Sequence, residues 1–252
     1  MMKSLVKSSL QRMLGYRRYL RLFAYFKIKT LHRDPREQDF LFFLSLLPET
    51  GTVLDIGANL GFLTYYLARR ARAGRVLAIE PMPDNLDALS FVVRQFGLSN
   101  VQVESCALGD HEGEAQMVLP LFGSSREQGL AHVVHAQLTD NNVGIRFSVP
   151  LRTLDGFADL FAPGVTVTGM KIDVENFEQF VLSGARRLLA THRPIIYIEL
   201  MNNENRKRCF EIAASAGYRI KIHEGGTLVP FDPRRHSERI NMFMVHESGA
   251  RV

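Results

Sequence analysis

A chain of 252 residues can form one large α/β domain or two small ones, and 46% hydrophobic and 23% charged residues with no Trp is an ordinary globular composition. Two cysteines, Cys106 and Cys209, exclude a disulfide framework or cysteine zinc site, and no apolar run approaches the roughly 18 residues of a membrane span. The net charge of +5 is uneven: residues 1–36 hold ten Lys/Arg and one acid, Asp34, while the rest is net acidic, so nucleic-acid binding by the main domain loses support. With no legible secretory signal, the expected setting is reducing and cytoplasmic.

Residues 1–30 read as a basic helix, with Leu10, Met13, Leu14, Leu20, Phe23 and Phe26 set among arginines and lysines. Two uses fit it. It lies on anionic lipid at the inner face of a membrane, a peripheral contact through residues 1–30, or it packs on its own domain with arginines outward, the commoner fate of amphipathic helices. His32-Arg33-Asp34-Pro35 ends it, and Arg36 to Leu47 reads as a second helix. Residues 1–47 are thus expected to be a helical basic extension, and 48–252 the main domain.

From Thr52 strands and helices alternate, the pattern of a doubly wound, Rossmann-like, mostly parallel sheet covered on both faces. Seven strands are expected: Thr52–Ile56, Arg75–Glu80, Val101–Ala107, Gly169–Val174, Pro194–Leu200, Tyr218–His223 and Ile240–His246. Helices are expected over Leu60–Arg72, Asp84–Phe96, Phe177–Ala190 and Asn203–Ala216. An insertion at 110–151 interrupts the alternation, with Ala115–Leu119 and Ile145–Val149 as an antiparallel excursion over the sheet's C-terminal edge. That placement suits a lid or acceptor platform. His132 and His135 have helix-face spacing, but without a nearby acid pattern they are a weak metal signal, and no metal ligand set is expected.

In open α/β sheets ligands bind beyond the carboxyl ends of the strands, so the polar residues there are the candidates. The segment Val53-Leu54-Asp55-Ile56-Gly57-Ala58-Asn59-Leu60-Gly61 gives a strand, a glycine turn and a helix start. Its spacing is D-x-G-x-x-x-G rather than the G-x-G-x-x-G of a pyrophosphate cradle, which points to a ligand with a small anionic end. Asn59 is expected to cap the helix. Glu80, at the second strand's end, is placed to accept from ribose hydroxyls. Cys106 and Ala107, after the third, are small enough to border a flat ring. In Lys171-Ile172-Asp173-Val174-Glu175 the charges alternate, which sets them on one side of a strand. Three charges on a central parallel strand are costly unless paired or at a site. Glu199 ends the fifth strand.

These segments together resemble the FkbM-type methyltransferases, a branch of the class I S-adenosylmethionine-dependent fold. Val53 to Phe62 resembles the family's first motif, and Glu80-Pro81 with Pro83, Asn85 and Leu89 its second. Ala107-Leu108-Gly109-Asp110 resembles the third, and Leu154-Asp155 a short signature. Lys171 to Glu175 with Glu178, Leu182, Gly184 and Ala185 resembles the most characteristic segment, completed by Arg193-Pro194 and Glu199. The resemblance spans roughly 51–200. One departure is Asn176, where the family pattern has Gly after Asp-Val-Glu. Asn is the next best tolerated residue in a left-handed turn, so the turn is expected to persist with a polar side chain beside the acceptor site.

The resemblance implies S-adenosylmethionine as cofactor and O-methylation of a sugar, glycan or secondary-metabolite hydroxyl. Asp55, Gly57, Asn59, Gly61, Glu80, Pro81, Cys106 and Ala107 would serve the cofactor. Asp173 is the first candidate for base or acceptor positioning, Glu175 and Glu199 follow, and Lys171 would hold their charge or stabilise a developing alkoxide. Two alternatives stand beside it: an RNA methyltransferase, resting on the basic N-terminus alone, and a nicotinamide-dependent oxidoreductase, which the glycine spacing disfavours.

Overall fold

The computed structural model describes residues 10–122, 125–126, 131–134 and 144–248, with 121–122 and 125–126 by their backbone alone. The main sheet is built on β1 (Thr52–Ile56), a five-residue strand buried throughout, as a central strand covered on both faces must be. Beside it lie β2 (Arg75–Ile79) and β3 (Val101–Glu104). The chain then leaves for a second sheet of β4 (Ala107–Leu108), β5 (Gly113–Phe122), β6 (Ser125–Arg126), β7 (His132–Val133) and β8 (Gly144–Arg152). It returns through β9 (Val167–Ile172), β10 (Ile195–Glu199), β11 (Tyr218–Glu224), β12 (Thr227–Pro230) and β13 (Asn241–His246). The main-sheet order is β12-β11-β13-β10-β9-β1-β2-β3. β3, β2, β1, β9 and β10 are parallel, whereas β13 runs antiparallel to its neighbours. The order reverses between β1 and β9, which opens a crevice at their carboxyl ends.

The Rossmann-like, doubly wound architecture expected from the alternation is present, with eight main-sheet strands in place of seven. The addition is β12, an edge strand joined to β11 by Gly225-Gly226, both at positive φ. Such a two-residue glycine turn suits the twist of a hairpin, and the Gly-Gly pair was its sequence signal. The third strand is shorter than expected: it stops at Glu104, and Ala107–Leu108 pairs with β8 instead.

One face of the sheet is covered by α1 (Tyr16–Thr30), α2 (Gln38–Leu46), α3 (Phe62–Arg70) and α4 (Pro83–Gln95). The other is covered by α5 (Glu178–Ser183), α6 (Arg186–His192) and α7 (Glu204–Ser215). A single helix was expected over Phe177–Ala190. It breaks because Gly184 packs on the Gly109 carbonyl, where a Cβ would overlap the oxygen. Asp155 then accepts from the Arg187 and Leu188 N–H groups, capping α6. Three of the motifs that carried the resemblance thus meet where the insertion leaves and rejoins the main domain.

The basic N-terminus is helical over 10–14 and again in α1, broken at Gly15 with φ 75°; residues 1–9 lie outside the described residues. Leu20, Ala24, Ile28 and Leu31 are buried against the domain, and Tyr66 donates to the Ile28 carbonyl. Arg17 pairs with Asp84 and Arg21 with both oxygens of Asp87 on α4. α2 adds Phe40, Phe43 and Leu47 to the same cluster as Val53 and Val76 of the sheet. One core therefore runs across the boundary expected at 47. No helix among the described residues is long and apolar enough to cross a membrane.

Candidate active site

Beyond the β1 and β9 ends lies a cleft of about 590 Å³, partly open to solvent. Gly57, Asn59, Glu80, Pro81, Cys106 and Ala107 border it, together with Asp173 and Glu175. The insertion supplies the opposite wall through Met117, Ala131 and Val133. His135, Gly123 and Ser124 lie outside the described residues. Among the described residues no cluster of three His, Cys, Asp or Glu has metal-holding geometry.

Glu80 organises the floor. Its buried carboxylate accepts from the Asn59 N–H at 2.8 Å, the Met82 N–H at 2.9 Å and Asn85 at 3.1 Å. Burial raises its pKa against the opposing pull of these donors. A carboxylate has about four acceptor positions, so one remains for a ligand. Asn59 was expected to cap a helix; instead it sits in the left-handed region at φ 51°, and Gly61 precedes the first residue of α3 without a side-chain cap. Asn59 borders the cleft, and its Oδ1 is buried with no donor from the protein.

Four expected site residues do not border the cleft: Glu199, which lines a smaller pocket beside it, and Asp55, Lys171 and Gly61. Asp55 is fully buried, accepts from Thr64 at 2.6 Å and faces Lys171 at 3.4 Å. Lys171, also buried, donates to the Gly57 carbonyl at 2.6 Å and lies 3.7 Å from Asp173. Burial pulls its pKa down, but Asp55 and Asp173 outweigh it and the net shift is upward. Lys171 therefore sits beneath the turn between two acids and does not reach the cleft. Gly61 is required by packing, since a Cβ there would press on Leu89. Gly57 is required by the close approach of β9, because a Cβ would overlap the Asp173 carbonyl oxygen.

The alternation of Lys171, Asp173 and Glu175 does not persist along a strand, for β9 ends at Ile172. Asp173 starts a turn in which Glu175 and Asn176 are both left-handed, at φ 54° and 70°. Asn176 keeps the turn expected of it. A buried clamp fixes the turn: Glu178 Oε1 accepts from the Val174 and Asn176 N–H groups, and Oε2 accepts from Asn205. Asn203 donates to the Asn176 side chain. Glu178 was visible only as one letter of a motif, and Asn205 had no sequence signal because α7 brings it from the far side of β10.

Next to the cleft is a shallow acidic pocket, about 210 Å³ with the open space before it counted, lined by Asp173, Glu175, Asn176, Glu178, Glu199 and Met201. Asp173 and Glu175 border both cavities. Burial, then the charges of Asp173 and Glu199, push Glu175 up to about 8. Glu199 is pushed up to about 7 by burial and by Asp173, and Glu178 to about 7 chiefly by burial. Burial also pushes the Cys106 thiol up to about 11, so it is a packing residue of the wall rather than a nucleophile.

Sheet order and a cleft at the switch point are those of a Rossmann-like, doubly wound α/β fold. The FkbM methyltransferase domain matches residues 55–244, and the chain belongs to the FkbM methyltransferase family. It is 26% identical over 149 residues to Methyltransferase 1 of Beauveria bassiana, covering 54% of this chain and 59% of that protein. Over 92 residues, 36% of this chain, it is 33% identical to 4% of the AMB antimetabolite synthetase AmbE of Pseudomonas aeruginosa. The crystal structure of an FkbM methyltransferase from Methylobacillus flagellatus superposes with a TM-score of 0.52 at 19% identity. That match covers 78% of this chain and 44% of the other. The chain thus spans under two thirds of each of these relatives.

Proposed function

We propose that this protein transfers a methyl group from S-adenosylmethionine to a hydroxyl of a sugar, glycan or secondary metabolite. The observation that carries the reading is the sharing of Asp173 and Glu175 between the cleft and the acidic pocket. A cofactor in one cavity and an acceptor in the other would meet across these two side chains. The stretch similar to an antimetabolite synthetase supports a secondary-metabolite acceptor.

The cleft residues fit the cofactor. The free acceptor position of Glu80 suits ribose hydroxyls, the unpartnered Asn59 Oδ1 suits a donor of the ligand, and Cys106 and Ala107 leave room for a flat ring. When bound, S-adenosylmethionine supplies an activated methyl, so alignment of the acceptor oxygen gives much of the rate. Asp173, 37% exposed at the junction, receives the proton the acceptor hydroxyl loses, and general-base help of this kind is worth about 10²–10⁴-fold. Glu175 and Glu199, which hold protons near neutrality, donate or accept hydrogen bonds to a polyhydroxylated acceptor. Lys171 and Asp55 keep the Gly57 turn and Asp173 in place from below.

Asp173→Asn keeps the shape and removes the basicity. Its affinity for S-adenosylhomocysteine, measured by calorimetry, should stay within a few-fold of wild type while single-turnover methyl transfer falls about 10²-fold or more. Near-normal turnover in a stable, cofactor-competent variant would move the base to Glu175 or Glu199. Loss of activity in step with folded fraction would make Asp173 structural.

A further inference from the structure

The basic helix α1 is apolar on two sides. Leu20, Ala24 and Ile28 face the domain and are buried. On the opposite side Leu22 and Phe26, again one turn apart, are 54% and 62% exposed, flanked by Tyr25 at 40%. Ahead of Gly15, Met13 is 76% exposed. Six large hydrophobic side chains are exposed among the described residues, and five of them fall between 10 and 26. That concentration separates this face from the scattered exposed apolar residues of any surface.

The charges on the helix divide the same way. Arg17, Arg21 and Lys27, on the domain side of the helix, pair with Asp84, Asp87 and Asp34. Arg18 and Lys29 share the outward side with Leu22 and Phe26, and both are exposed. Among the described residues neither pairs with a carboxylate; Lys29 lies over the rings of Tyr25 and Phe96. No acid occurs from 10 to 33. A convex helical face of apolar side chains edged by cations that no carboxylate neutralises fits a plane that is apolar below and anionic above.

We propose that the outward face of α1 docks on an anionic lipid bilayer, with Leu22 and Phe26 entering the headgroup boundary and Arg18 and Lys29 at the lipid phosphates. A second copy of the chain fits less well, because an isologous contact through this face sets Arg18 and Lys29 against their own copies. The docking uses none of the residues assigned to methyl transfer, so it stands apart from that assignment.

The test is flotation of the full chain with phosphatidylcholine vesicles, with or without phosphatidylglycerol. The full chain should float with the phosphatidylglycerol vesicles, release at high salt as screening weakens the attraction, and stay largely unbound with phosphatidylcholine alone. Leu22→Ser/Phe26→Ser and, separately, Arg18→Glu/Lys29→Glu should each weaken binding about ten-fold or more. Both should keep the wild-type melting temperature, since none of the four side chains is buried. Failure of the wild type to float, equal binding to both vesicles, or full binding by the stable variants would overturn the proposal. So would a lipid-free dimer that Leu22→Ser/Phe26→Ser dissociates, which would assign the face to a second copy.

Discussion

Glu175 shows how one side chain can set a pH dependence. Its ordinary pKa is 4.5 and burial beside Asp173 and Glu199 raises it to about 8. Between those values the unfolded chain has released this proton and the folded chain still holds it. The folded state then binds more protons, so stability falls as pH rises through that window and levels off above it. Glu199 and Glu178 act in the same direction, with windows closing near 7. Asp87, lowered by its hydrogen bond to Arg21, has the opposite sign and loses its contribution only at acid pH. Glu175→Gln removes one raised group. Its melting temperature should therefore drop less than that of wild type between about pH 6 and pH 8. Parallel curves for the two proteins would show that Glu175 ionises like an exposed carboxyl.

The turn from Asp173 to Asn176 is the element on which the site depends. Two successive non-glycine residues in the left-handed region cost of order 1–3 kcal/mol each and persist only when neighbours enforce them. Here the enforcement is Glu178, which accepts from the turn on one oxygen and from Asn205 on the other, while Asn205 Oδ1 accepts from the Gln179 N–H. In Glu178→Gln the new amide N–H groups face the Asn205 amide, and an unmatched buried donor costs about 1–3 kcal/mol. A lower melting temperature and a loosened turn are the expected outcome. Adding Asn205→Asp reverses the polarity of the pair and supplies acceptors to both the introduced side-chain amide and the Gln179 N–H. The double variant should therefore recover much of the loss. If it melts as low as the sum of the single changes, the clamp is not the agent holding the turn.

For the whole molecule, the N-terminal helices are part of the fold. Burying a large aliphatic side chain contributes about 1.5–3 kcal/mol as an upper estimate. Leu20, Ile28 and Leu31 are all at or below 3% exposure, so together they account for roughly 5–9 kcal/mol. That is comparable with the total stability of about 5–15 kcal/mol of an ordinary domain. Deleting residues 1–33 should consequently give a chain that aggregates on gel filtration or melts without a cooperative transition. A truncated protein melting like the full chain would show that α1 rests on the domain without supporting it. At this scale the two sequence-level uses of the helix do not exclude each other, because one stripe serves the core while the other remains exposed.

Much of this architecture was legible locally, because the signals that make it are local. The buried run Thr52–Ile56, the alternation of strands and helices, and the acids Glu80, Asp173, Glu175 and Glu199 at strand ends follow from the periods of the backbone and the cost of burying charge. The left-handed turn at Asn176 was legible too, since few side chains tolerate that conformation. Tertiary structure decided which of those acids reach a cavity. Asp55 and Lys171 carry the same motif signal as Asp173, yet the register of β1 beside β9 pairs them with each other underneath the turn. It also decided the reason for Gly57, whose missing Cβ makes room for the Asp173 carbonyl. The partner of Glu178 and the wall formed by Met117 and Val133 come from elements distant in sequence, and no local pattern encodes which element will arrive. Periodicity states that a side chain is buried; only the packed fold states against what.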